Sequence, residues 1–325
     1  MELSKHAVPK IQATGDATNY PQSSVSVVVV AICSLRNIAR TLIAIRGQQN
    51  PPPFNVIVAA DPRLGSLENV RREFPEVEFL SREACRTPIE LAALGIAAAK
   101  GERILLTEDS CLPDSRWVHS LASSEWQGHG AVGGVIDPGV SASRAMWAFY
   151  FVDFFRYMGP VGSGEMPTLS VCNVAYHRSH LEAISNVWKG SFLETTVHDV
   201  LKEKFGPLAI VSGAVVRIRR DVKFKDAVYE RYAFGRLFGA ARVANAPTSR
   251  RAYFAVMAPA LPVLLTGRMA SKAVSSSKSR GDFIKALPSL LTMVAAWSWG
   301  EWLGYVTKRR PARITTAPEK DTSLS

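Results

Sequence analysis

Three carboxylate positions in this chain of 325 residues stand where chemistry is expected. Glu108-Asp109-Ser110 abruptly ends the buried-type run Arg103-Ile104-Leu105-Leu106-Thr107. Two adjacent carboxylates at such a place repel each other unless a cation is near, which favours a ligand site over a solvated turn. Asp61 ends the β-branched run 54–60 and precedes Pro62, so it either accepts an N–H from a ligand or caps the turn. Glu194 heads a helical segment, as a reactive carboxyl or as one that the helix dipole stabilises. Cys33, Cys85, Cys111 and Cys172 lie far apart, without a CxxC pair or zinc spacing. They read as reduced, mostly buried thiols of a cytoplasmic protein.

The elements around these residues alternate. Residues 25–32 (VSVVVVAI) are the β-branched run that a strand covered on both faces requires. Residues 36–45 have helical apolar spacing, 54–60 form a second strand and 77–80 a short third. Thr87 and Pro88 mark a helix start, and Gly101 is read as its left-handed stop. Alternation of this kind predicts a parallel sheet with helices on both faces, and ligands then sit beyond the carboxyl ends of the strands. Asp61 and Glu108-Asp109 lie at such ends. After Pro113 the pattern mixes. Strands are expected at 131–137, 170–177 and 208–219, helices from 179 and at 195–205, an aromatic segment at 144–158 and a Gly-rich loop at 159–164.

Hydrophobic residues make up 47% of the chain and charged ones 21%, which excludes disordered, collagen-like and coiled-coil classes. The net charge of +11 is unevenly spread: residues 1–215 hold 19 basic and 21 acidic side chains, residues 216–325 hold 20 and 7. The polar residues 1–24 read as a flexible leader without the apolar core of a secretory signal. Two apolar stretches follow at 252–266 and 286–307, the second roughly 33 Å long if helical. Crossing a bilayer would place either the basic segment 267–285 or Lys308-Arg309-Arg310 outside, against the positive-inside tendency. The stretches therefore read as a re-entrant or interfacial helical pair facing anionic headgroups, with a buried helix pair as the alternative. No nucleic-acid motif accompanies the charge, so nucleic acid is not an expected partner.

The order of these features resembles the family-2 glycosyltransferases over roughly residues 25–245. The matching pieces are VSVVVVAICSLRNIARTLIAI, NVIVAADPRLGS, AALGIAAAKGERILLTEDSCLP, GAVGGVIDP, NVAYHRSHLEAI and LETTVHDVLKEKFGPLAIVSGAVVRI. The tail AAWSWGEWLGYV is similar to the hydrophobic C-terminus of some bacterial members. The resemblance implies an α/β GT-A fold: a Rossmann-like mixed sheet with helices on both faces, plus C-terminal membrane-associated helices. The expected organisation is a leader 1–24, a GT-A domain 25–245, a hydrophobic segment 246–307 and a basic tail 308–325.

The implied activity is inverting transfer of a sugar, as in polysaccharide biosynthesis, from a nucleotide-diphosphate donor (a UDP-sugar above all) to a lipid-linked or glycan acceptor at the cytoplasmic face of the membrane. The resemblance assigns Asp61 to the nucleotide base, Glu108 and Asp109 to the donor, and Asp109 with Ser110 to a divalent cation, Mg2+ or Mn2+. Ser110 replaces the usual third acid of that motif. Glu194 becomes the catalytic base, with Asp199 as fallback and His198 facing it or structural. Asn173 falls in a strand that touches donor or acceptor, or it satisfies buried backbone groups, and Arg236 sits in a basic element suited to the leaving diphosphate or in a solvated or lipid-facing helix. Ser110 and Thr195 both replace acids, which leaves a catalytically silent scaffold open. A nucleotidyltransferase is disfavoured, as no Gly-rich phosphate loop follows the first strand.

Overall fold

The computed structural model describes residues 24–311 except 86, 124–127, 140–142, 221 and 276–278. The expected leader, apart from Ser24, and the expected tail from 312 onward lie outside the described residues.

The first half of the chain is regular. Strands β1 (Val25–Ala31), β2 (Phe54–Ala60) and β3 (Glu78–Leu80) alternate with helices α1 (Leu35–Arg46) and α2 (Glu68–Glu73). Helix α3 (Pro88–Ala98) then leads into β4 (Arg103–Glu108). A short strand β5 (Cys111–Pro113), helix α4 (Trp117–Ala122) and strand β6 (Ala131–Pro138) follow, then helix α5 (Arg144–Phe154) and strands β7 (Gly164–Met166) and β8 (Val174–His177). Helices α6 (Arg178–Ala183), α7 (Ser185–Trp188) and α8 (Glu194–Phe205) precede the long strand β9 (Leu208–Ile218). The chain closes with α9 (Phe224–Arg242), α10 (Thr248–Met257), α11 (Leu261–Ser275) and α12 (Arg280–Thr307).

Among the described residues nine strands form one sheet in the order β3-β2-β1-β4-β8-β6-β9-β5, with β7 also on β9. The β3-β2-β1-β4 part is parallel, and β8 runs against both β4 and β6. The expected mixed sheet is thus present. Alternation along β1 explains why it holds together. Val25, Val27 and Val29 pack with Ile38, Leu42 and Ile45 of α1. Val28 and Val30 pack with Leu91, Ala92 and Ile96 of α3. Each such valine, buried from water on folding, contributes roughly 1.5–3 kcal/mol.

Helix α3 starts as read: Thr87 caps it, Pro88 follows and Glu90 completes a capping box. Its end differs. The cap residue is Ala99 in extended conformation, and Gly101 is needed for space instead. A Cβ there would come within 2.5 Å of the Ser26 nitrogen, because the chain crosses β1 at that point. The strand expected at 170–177 forms only over Val174–His177.

The C-terminal helices belong to the same body. Phe283, Ala286, Leu290, Met293 and Val294 of α12 share the core that includes α1 and α5. Helices α9 and α12 approach backbone to backbone: a Cβ on Gly235 would lie 2.2 Å from the Trp297 carbonyl, and one on Gly300 would lie 2.0 Å from that of Tyr232. One side of the long apolar stretch 286–307 therefore packs in the core, the alternative noted from sequence, while Leu291, Trp299 and Val306 on it are exposed. Among the described residues the one segment long and apolar enough to cross a membrane is Thr248–Val274, and little of it is buried.

Candidate active site

The carboxyl ends of β1 and β4 meet at Asp109. Its two carboxylate oxygens accept N–H bonds from Ile32, Cys33 and Ser34, at 3.2, 2.9 and 3.3 Å. The carboxylate thereby ties the turn between β1 and α1 to the end of β4, and it is 2% exposed. Burial pushes its carboxyl up, and the backbone bonds offset part of that. The Ser110 hydroxyl donates to Glu108 Oε2 at 3.4 Å and lies 3.8 Å from Cys111 Sγ. Glu108 is held up by burial while Arg220 draws it down, and the Cys172 thiol donates to it.

Glu194 is the first residue of α8. Its Oε2 accepts the Val171 N–H at 3.0 Å. Burial pushes its carboxyl up to about 7, the Val171 bond works against this, and the charge of Glu108 adds to it. The structure thus brings Glu108 and Glu194 into one electrostatic environment from elements 86 positions apart in sequence. The phenol of Tyr157 faces the same carboxyl and bonds Thr168 Oγ1 at 3.0 Å.

Other expected residues are engaged elsewhere. Asp61 is 2% exposed and caps a short turn: it accepts the Arg63 N–H at 2.9 Å and pairs with the Arg63 guanidinium. Asn173 is 1% exposed, and its amide joins three elements of the core. Its Oδ1 accepts from Trp117 Nε1 at 2.8 Å, and its Nδ2 donates to the Val135 and Ala214 carbonyls at 2.8 and 2.9 Å. Gly134 allows that arrangement, since a Cβ would sit 2.5 Å from the same Nδ2. Arg236 bonds the Arg309 carbonyl and the Tyr232 hydroxyl. Asp199 is exposed and paired with Lys202 at 2.8 Å. His198 is buried against the Tyr176 hydroxyl at 2.8 Å, and burial lowers its pKa to about 3, so it is neutral.

Sequence reasoning missed the basic side of the site. Just past β9, the Arg219 N–H donates to the Ser110 carbonyl at 2.6 Å. Arg220 Nη2 lies 2.6 Å from Glu230 Oε1. Arg231, one residue on, pairs with Asp153 of α5, and its Nε is buried without a hydrogen-bond partner. Burial works against the charge on Arg220, but Glu230, Cys33 and Glu108 more than offset it. The adjacent Arg219-Arg220 at a strand end was the signal available.

The donor set does not fit a resident Mg2+ or Mn2+. Asp109 has both oxygens on backbone N–H groups, Ser110 is turned to Glu108, and Glu108 has a thiol donor and a guanidinium beside it. Among the described residues no three His, Cys, Asp or Glu side chains gather as a cation site.

A solved structure shares this arrangement of strands and helices. The mannosyltransferase PcManGT from Pyrobaculum calidifontis, in complex with GDP-Man and Mn2+, matches 89% of this chain and 89% of its own at a TM-score of 0.51 and 14% identity. The fold is GT-A. The S. aureus TarS 1-349 structure, in complex with UDP-GlcNAc, matches 83% of this chain and 81% of its own at 15% identity and a TM-score of 0.49. No family model matches the sequence, and no curated protein does.

Proposed function

We propose that the chain is a glycosyltransferase that moves a sugar from a nucleotide-diphosphate donor to a hydroxyl acceptor with inversion, Glu194 acting as base. The observation that carries this reading is the Glu194 carboxyl, pushed up to about 7 by burial and by the charge of Glu108, which ends β4. A base works best with a pKa near the operating pH. Ionised Glu194 takes the proton of the acceptor hydroxyl as that oxygen attacks the anomeric carbon, and the bond to the diphosphate oxygen breaks on the opposite side. PcManGT holds a nucleotide sugar on the same fold, which supports a donor of that class.

The acceptor is proposed to be lipid-linked or glycan, met at the cytoplasmic face of a membrane. Tyr253, Val256, Met257, Val263 and Leu264 of α10 and α11 are exposed, as are Ile284, Leu291, Trp299 and Val306 along α12. Arg250, Arg268, Lys272 and Lys285 punctuate this surface. An apolar face with basic side chains suits shallow insertion among anionic headgroups. Incubating the full chain with UDP-, GDP- and dTDP-sugars and a lipid extract tests the reading: release of one nucleoside diphosphate supports it.

A second reading, a silent GT-A domain that binds without turnover, is favoured by Ser110, which stands where the resemblance expects an acid and is turned to Glu108. Nucleotide binding without any diphosphate release would select it.

A further inference from the structure

The place where a cation would meet a donor diphosphate is already furnished with fixed positive charge. The Arg219 N–H bond to the Ser110 carbonyl holds the end of β9 against the acidic turn, so the Arg220 side chain is anchored one residue from it. Glu230, 1% exposed, grips one nitrogen of that guanidinium, and the Phe149 ring lies 5.1 Å from its carbon. The guanidinium offers five N–H donors in a rigid fork, the geometry that phosphate oxygens accept in pairs. With 23% of its side chain exposed, Arg220 is open to a ligand, whereas Glu230 is not. Arg231 backs it, 5% exposed, also beside the Phe149 ring at 5.2 Å and with its Nε unbonded.

The opposing carboxylates are each accounted for. Asp109 is matched by three N–H groups, Glu230 by Arg220 and Asp153 by Arg231. Glu108, which accepts from the Ser110 hydroxyl, adds its negative charge to the surroundings of both guanidinium groups.

We propose that Arg220, held in place by Glu230, is the group that takes the donor diphosphate, so that donor binding needs no divalent cation. This rests on the nucleotide-sugar reading above and adds to it the identity of the neutralising charge. Arg220 is then a donor-binding residue, and Glu230 and Phe149 position it.

Titration calorimetry on the full chain with UDP, GDP and dTDP, in EDTA and then in Mn2+, tests it. One nucleotide is expected to bind in EDTA with an affinity within about threefold of that in Mn2+, since charge-assisted bonds to phosphate require no metal. The paired variant Arg220→Gln/Glu230→Gln removes both charges, so no buried carboxylate is left alone. It is expected to lose binding by roughly tenfold to a hundredfold while keeping its circular dichroism. If that variant does not fold, Arg220→Lys keeps the charge but not the fork and is expected to lose about tenfold. Binding that appears only with Mn2+ overturns the inference and leaves the nucleotide reading standing. Wild-type affinity in a folded Arg220 variant does the same. No binding of any nucleotide in either condition removes the nucleotide reading and this inference with it.

Discussion

The two halves of the sheet treat their carboxylates in opposite ways. In the parallel half, Asp61 and Asp109 end β2 and β4 and are saturated at once by neighbours: Arg63 in one case, three backbone N–H groups in the other. In the mixed half, Glu194 enters from α8 with one backbone donor and a like charge beside it. The first arrangement builds a rigid floor. The second leaves a carboxyl poised between its two protonation states. The carboxyl proposed as the base is thus the one with the fewest hydrogen-bond donors, and acidic residue type alone does not separate the two cases.

The comparison breaks most directly at Glu194. Glu194→Gln is expected to cut sugar transfer by roughly 10²–10⁴-fold, the usual contribution of a general base, while nucleotide affinity changes little. Turnover assays paired with calorimetry check this. The same variant carries a sign in stability. The folded-state pKa of Glu194 is raised, so its protonated form favours the fold, fully below about 4.5 and no longer above about 7. Glu194→Gln should therefore be the more stable protein above neutrality, by roughly 3 kcal/mol, and denaturant titrations at pH 5 and pH 8 read the difference.

Asp109→Ala is the counterpart in the rigid half. It leaves three buried N–H groups without an acceptor and should lower unfolding free energy by about 3–5 kcal/mol, visible as a fall in the denaturant midpoint. A stable Asp109→Ala with lost donor binding would instead place Asp109 among the ligand contacts. Gly300→Ala comes next: its Cβ meets the Tyr232 carbonyl, and the separation of α9 from α12 it forces should cost about 1–3 kcal/mol in thermal unfolding. The smallest expected effect is at the surface. Leu264→Glu should weaken binding to anionic vesicles several-fold, roughly 1 kcal/mol, and leave donor binding unchanged; co-sedimentation measures it.

Much of the parallel half was legible in the sequence because its signals are local. The run 25–32 has one reading, and Thr87-Pro88 with Glu90 declares a helix start within four residues. The place of Glu194 at a helix head was legible too. What was not legible depends on partners distant in sequence. Asn173 could have faced a ligand, but contacts with Trp117, Val135 and Ala214 decide otherwise. The stretch 286–307 has a membrane-like composition, yet Gly300 and Gly304 meet the α9 backbone at Tyr232 and Arg236 only once the helices cross. Arg220 looked like one more basic residue in a basic quarter. Its role emerges from Ser110 and Glu230, 110 and 10 positions away.

The pH dependence of kcat/KM for diphosphate release, measured on wild type and on Glu194→Gln, tests the central claim most directly. The expected profile rises tenfold per pH unit up to about pH 7 and then levels, and the rising limb is gone in the residual activity of the variant. A wild-type profile that is flat from pH 5 to 9, or a Glu194→Gln that keeps full activity, would contradict the assignment of Glu194 as the base.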